Sequence, residues 1–150
     1  MNAQPTLTPS DIQKKIVKAF NELNGQNLEI LNDFYEEAAT FEDPVSKAEG
    51  LADIKKYYAH VYKNVKSIRF DFKDIRHQEN HYYAHWTMHL QATGLNAGQT
   101  FPVEGMSYMK FNEKGKVVYH RDYLDLGSML YERLPLIGSV VSFIKGRLKH

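Results

Sequence analysis

Apolar residues recur at three- and four-residue spacing in the first part of the chain, then switch to every second position. In "TPSDIQKKIVKAFNEL", Ile12, Ile16, Val17, Phe20 and Leu23 share one face, predicting an amphipathic helix that starts at Ser10 or Asp11 and ends by Gly25. "NLEILNDFYEEA" predicts a second short helix burying Leu28, Leu31, Phe34 and Tyr35. After Gly50, "LADIKKYYAHVYKNV" predicts a third, with Leu51, Ile54, Tyr58 and Val61 or Tyr62 together. Between them, "ATFEDP" predicts a short extended segment ending at Pro44, because the residue before a proline is pushed out of helical geometry.

From Ser67 the period is two: Ile68, Phe70 and Phe72 alternate with Arg69, Asp71 and Lys73. "HYYAHWTMHLQATG", "TFPVEGMSYMKFN" and "KVVYHRDYLD" predict three further strands, the last two joined by the hairpin-like "EKGK". Helices followed by long antiparallel strands predict an α+β domain, with the helices on one face of a curved sheet. Beyond Leu126, "GSMLYERLPLIGSVVSFIKGRLKH" predicts an amphipathic helical extension interrupted near Pro135 and Gly138. Its apolar face holds Leu134, Ile137, Val140, Val141, Ile144 and Leu148, and it is expected to cover a pocket mouth or an adjoining hydrophobic surface. The expected organisation is a flexible N-terminus at 1–10, one domain at 11–125 and the helical extension at 126–150.

Composition narrows the function class. A chain of 150 residues supports one core, burying roughly 70% of its unfolded surface. Ten Tyr and eight Phe are enough for a wide apolar pocket or an aromatic oligomer interface, and composition does not choose between them. A net charge of +1 sets up no general field for nucleic acid, so no nucleic-acid partner is expected. With no cysteine there is no disulfide, thiolate nucleophile or Cys-ligated zinc. "MNAQPTLTPSD" has no basic stretch leading into an apolar run, and no apolar stretch approaches the roughly 18 residues of a spanning helix, so a cytoplasmic location is expected. The basic end, Lys145, Arg147, Lys149 and His150, suits an anionic membrane surface, but packing on the domain or a dimer partner needs the same apolar face and is the favoured expectation. His81, His85 and His89 are spaced by four on a strand, where four residues span about 13 Å, too far for two of them to share a zinc. They are assigned to the outer sheet face, and neither a metal nor a cofactor is expected.

The succession "LNGQNLEILNDFYEEAATFEDPV…G…I…YY", followed by long strands ending "KFNEKGKVVYHRDYLD", resembles the nuclear transport factor 2-like superfamily, in its SnoaL-like and ketosteroid isomerase-like branch. The resemblance spans roughly Asp11 to Asp125. It implies a cone of three helices against a strongly curved antiparallel sheet, an enclosed apolar pocket and a homodimer through the outer sheet face. Asp43 falls where ketosteroid isomerases carry the base that moves a proton beside a carbonyl; read from its residues alone, "EDPV" equally makes Asp43 a turn-forming acid. The isomerase donors to the forming enolate are replaced by Ala19 and Ser107, while Tyr58 matches a second pocket tyrosine.

On the last strand, alternation sends His120, Asp122 and Leu124 to one face and Tyr119, Arg121 and Tyr123 to the other. The family register turns the first set inward, so Asp122 resembles the last-strand base of SnoaL-like cyclases and His120 its partner. Arg121 on the opposite face speaks against the Asp-Arg-Asp set of the superfamily's epoxide hydrolases. Trp86, Met88 and Leu90 match the pocket-lining strand and, with Tyr35, Tyr58, Val103 and Met109, imply a broad apolar wall, with Ser107 as a substrate contact. Two readings remain: an isomerase, cyclase or dehydratase using Asp43 or Asp122 on a small apolar carbonyl compound, and a non-catalytic domain that binds an apolar ligand or a protein.

Overall fold

The computed structural model describes residues 6–129 and 137–149. Helix α1 (Pro9–Glu22) starts ahead of its apolar periodicity because Thr8 and Asp11 close a capping box. Thr8 Oγ1 accepts from the Asp11 N–H at 3.1 Å, and Asp11 Oδ2 accepts from the Thr8 N–H at 2.9 Å. Pro9 follows the cap, where its missing N–H has no cost, so Pro9 and Ser10 belong to the helix rather than to a flexible arm.

The second helix of the sequence reading is divided. A 3-10 turn at Leu28–Ile30 leads into α2 (Leu31–Phe34), and Tyr35 then opens strand β1 (Tyr35–Glu42). Helical spacing holds through Phe34; beyond it the backbone pairs with a strand far along the chain, which local periodicity does not encode. Strand β2 (Lys47–Glu49), helix α3 (Leu51–Tyr62), and strands β3 (Val65–Gln78), β4 (His81–Ala92), β5 (Phe101–Phe111) and β6 (Val117–Leu124) complete the domain. Gly50 joins β2 to α3 at φ 89°, a conformation glycine adopts freely, and its N–H donates to the Ala39 carbonyl at 2.7 Å.

The six strands form one sheet in the order β2-β1-β6-β5-β4-β3. All neighbours are antiparallel except β1 and β6, which run parallel, a pairing the sequence did not announce. The α+β class, the long alternating strands and the helices on the inner face match the sequence reading. Between β3 and β4 the register passes from Phe72 opposite Trp86 to Asp74 opposite His85, leaving Lys73 as a bulge. Such an extra residue bends the strand, and here it lets Ile75 join Phe70 and Phe72 in packing against the core.

Trp86 anchors that core. Its indole crosses Gly105, the directly opposed residue on β5, where an added Cβ would lie 2.3 Å from the ring. The glycine inside "VEGMS" therefore marks a close approach of side chain to backbone.

Past β6 come α4 (Leu126–Met129) and α5 (Ile137–Arg147); Leu134 and Pro135 fall outside the described residues. Of the extension expected to cover a pocket mouth or an adjoining hydrophobic surface, Leu126 and Met129 of α4 line the cavity, whereas Val140, Phe143 and Ile144 of α5, and Leu148 just beyond it, are exposed. Lys145 Nζ reaches Asp125 Oδ2 at 2.8 Å, so α5 is held through a polar contact on the side away from its apolar stripe.

Candidate functional site

A cavity of about 660 Å³ opens between the inner sheet face, α1, α3 and α4. Alternation on β4 turns Trp86, Met88 and Leu90 into its wall, and alternation on β6 does the same for His120, Asp122 and Leu124. Tyr35 enters from the first residue of β1, and Tyr57 and Tyr58 from consecutive positions on α3. Val103 and Met109 are buried in the core outside this lining, and Ser107, fully buried, stands behind it. Two carboxylates, Asp43 and Asp122, line the cavity; among the described residues no Lys or Arg does.

A chain of hydrogen bonds runs through the wall. Trp86 Nε1 lies 2.9 Å from Ser107 Oγ, which lies 2.5 Å from Asp122 Oδ1. His120 Nε2 is 2.6 Å from the same oxygen, its Nδ1 is 2.6 Å from the Tyr35 hydroxyl, and that hydroxyl is 3.2 Å from the Tyr58 hydroxyl. Donor chemistry sets the directions. The indole only donates, so Ser107 accepts from it and donates to the Asp122 carboxylate. Nε2–H of a neutral His120 also donates to Oδ1, Nδ1 accepts from Tyr35, and Tyr35 accepts from Tyr58. Every bond then points toward Asp122, whose Oδ2 is engaged by no donor among the described residues. His120 itself is 1% exposed, stacked between Phe20 and Tyr35 with Phe41 edge-on.

Asp43 is tied differently. Its Oδ1 accepts from the Val45 and Ser46 amides at 2.8 and 2.6 Å, and its Oδ2 accepts from the Tyr57 hydroxyl. Both oxygens are therefore engaged in holding the turn around Pro44. Tyr57 was missed in the sequence, although it falls three residues after the buried Ile54, a spacing that places it on the inner face of α3. Ala19 lines the cavity but offers no donor, and the Ser107 hydroxyl is committed to Asp122.

Burial pushes the Tyr35, Tyr57 and Tyr58 phenols well above their ordinary value of 10.0; a bond to Asp43 adds to the shift of Tyr57, while the Tyr58 contact partly offsets that of Tyr35. Because folding favours their neutral form, this stabilisation is complete below the unfolded value and lost as pH rises above it, each phenol adding a slope of about 1.4 kcal/mol per pH unit. The urea midpoint, followed by Trp86 fluorescence, is expected to fall steeply above about pH 10. Tyrosinate absorbance from all ten tyrosines in a still-folded protein would show these phenols to be unburied.

On the outer face, His81, His85 and His89 bond to Tyr108, Glu104 and Asp71 respectively, at 2.6, 2.8 and 2.9 Å. Arg121 also points outward, donating to Glu42 at 3.1 Å and lying over the Tyr123 ring.

The fold has solved counterparts. A candidate SnoaL-like polyketide cyclase from Jannaschia sp. CCS1 superposes with a TM-score of 0.70 at 12% identity, over 85% of this chain and 95% of that one. A protein of ketosteroid isomerase-like fold from Catenulispora acidiphila DSM 44928, solved with trimethylamine, gives 0.71 at 17%, over 86% and 96%. A candidate isomerase of the SnoaL-like family from Agrobacterium tumefaciens C58 gives 0.60 at 18%, over 76% and 94%. No curated protein matches the chain. The SnoaL-like domain family matches residues 16–120, from within α1 to the buried histidine of β6. With that match over most of its length, the chain belongs to the SnoaL-like family, and its curved sheet and helices share the fold of nuclear transport factor 2-like proteins.

Proposed function

We propose that the cavity catalyses proton transfer next to the carbonyl of a neutral, apolar compound, as an isomerase or cyclase, with Asp122 as base and His120 as its buried partner. The observation that carries this reading is the hydrogen-bond chain converging on Oδ1 of a carboxylate that lines an apolar cavity. Ser107 and His120 orient the group, and Oδ2 remains to accept the proton. The substrate C–H bond breaks, its proton goes to Asp122, and its electron pair moves onto the carbonyl oxygen as an enolate. In an isomerisation the proton returns to another carbon. In a cyclisation the enolate carbon adds to a second carbonyl and the new alkoxide takes the proton.

The tyrosine pair supplies the oxygen contact. As the enolate forms, the Tyr58 O–H turns from the Tyr35 oxygen to the enolate oxygen, while Tyr35 goes on donating to Nδ1 of His120. The raised Tyr58 phenol keeps that proton available at neutral pH. The lining offers no described Lys or Arg as counterion to an acidic substrate, which argues for a neutral one.

The test is incubation of the full chain in D2O with a panel of ketosteroids and cyclic enones, watching C–H to C–D exchange by NMR. Exchange above the buffer rate is expected for compounds that quench Trp86, the sole tryptophan and part of the cavity wall. Quenching without exchange across the panel would leave a non-catalytic apolar-ligand carrier, a reading favoured by Ala19, which supplies no second donor.

A further inference from the structure

Among the described residues, four of the eleven exposed large hydrophobic side chains fall within nine positions of the C-terminal segment. Val140, Phe143 and Ile144 lie along one side of α5, at 58, 62 and 52% exposure, and Leu148 follows in the closing turn at 78%. At 100° per residue the first three span about 100° of the helix surface, the width of a face built to be covered. Lys145 lies on the far side and contacts Asp125, so the stripe points away from the body of the domain.

The charge pattern selects what covers it. From residue 137 onward the sequence has Lys145, Arg147 and Lys149 and no Asp or Glu, in a chain whose net charge is only +1. The Arg147 guanidinium sits over the Phe143 ring, 5.6 Å from its centroid, so a cation borders the apolar stripe directly. An apolar face with an arginine against its one ring, in a segment without an acidic residue, suits the headgroup region of an anionic bilayer, with Phe143 and Ile144 among acyl chains and the Arg147 side chain reaching back to phosphates. No described helix is long and apolar enough to cross a membrane, so the helix lies along the surface.

We propose that α5 docks the protein, reversibly, on an anionic phospholipid surface. The docking does not depend on the reaction proposed above. It does bring α4, whose Leu126 and Met129 line the cavity and which begins directly after Asp125, to the bilayer side, where apolar ligands concentrate.

The test is co-sedimentation of the full chain with vesicles of phosphatidylcholine alone and of phosphatidylcholine mixed with phosphatidylglycerol, at low and high salt, with light scattering for the oligomeric state. Pelleting is expected with the mixed vesicles, with little on phosphatidylcholine, and is expected to weaken as salt rises. The double substitution Phe143→Ser and Ile144→Ser is expected to lower vesicle partitioning by roughly 10- to 100-fold. Arg147→Glu with Lys149→Glu is expected to remove the preference for anionic vesicles while circular dichroism stays unchanged. No pelleting with mixed vesicles, equal pelleting with both kinds, or pelleting that neither pair of substitutions alters would overturn the proposal. So would a dimer that the Phe143/Ile144 substitutions dissociate, because the stripe would then be covered by a second copy.

Discussion

Asp122→Asn is expected to lower α-proton exchange by about 100- to 10,000-fold, the usual effect of removing a general base, while Asp43→Asn lowers it less than about tenfold. The two carboxylates line the same cavity, yet their surroundings separate them. Asp43 has two amides and a phenol on its two oxygens, which commits it to the turn. Asp122 receives both its donors on Oδ1. Asparagine at 122 keeps an oxygen for the Ser107 and His120 donors, so the fold persists and the loss reports chemistry. Asparagine at 43 turns an NH2 or a weaker acceptor toward Tyr57 and is expected to cost about 1–2 kcal/mol of stability. Measured exchange rates and urea midpoints for both variants decide the matter: a larger rate loss at Asp43 would transfer the base role there.

Trp86→Ala is expected to be the most destabilising single change, at about 3–5 kcal/mol, which lowers Tm by on the order of 10 °C in a chain of this size. The indole is 1% exposed, meets Phe70 edge-on at 5.1 Å between centroids, and lies across Gly105. No neighbour can close the gap cheaply, because the floor beneath it is strand backbone without a Cβ. Trp86→Phe restores much of the volume but leaves Ser107 without its indole donor. It is expected to lose about 1–3 kcal/mol. Calorimetric melts of the two variants that coincide would mean that the hydrogen bond, rather than the packing, holds the position.

Much of the fold was legible in the order of periodicities. Ile12 and Ile16 on α1, Ile54 on α3, and the alternation of β4 needed only local sequence, because helix and strand geometry impose their own spacing on whichever residues meet the core. Alternation likewise grouped His120, Asp122 and Leu124 on one face of β6, and the family resemblance turned that face inward. The start of β1 was not legible: Tyr35 continues the helical spacing of Leu28, Leu31 and Phe34, and only pairing with β6 makes it a strand residue. In the C-terminal extension, only the structure separates Leu126 and Met129, which line the cavity, from the exposed Val140, Phe143 and Ile144, because an apolar face declares that it needs a cover without naming one.

The same division applies to the site. By itself the sequence determined which side chains share a face on each element, since alternation is a local property of the backbone. Tertiary structure alone decided what those side chains touch. It placed Tyr35 of β1 on one nitrogen of His120 and Asp122 of β6 on the other, and stacked Ser107 and Trp86 behind the carboxylate. It also gave Asp43 to Tyr57 and the Pro44 turn. Hydrogen bonds of a few ångströms depend on strand register and helix placement summed over the whole domain, and no window of sequence contains that sum.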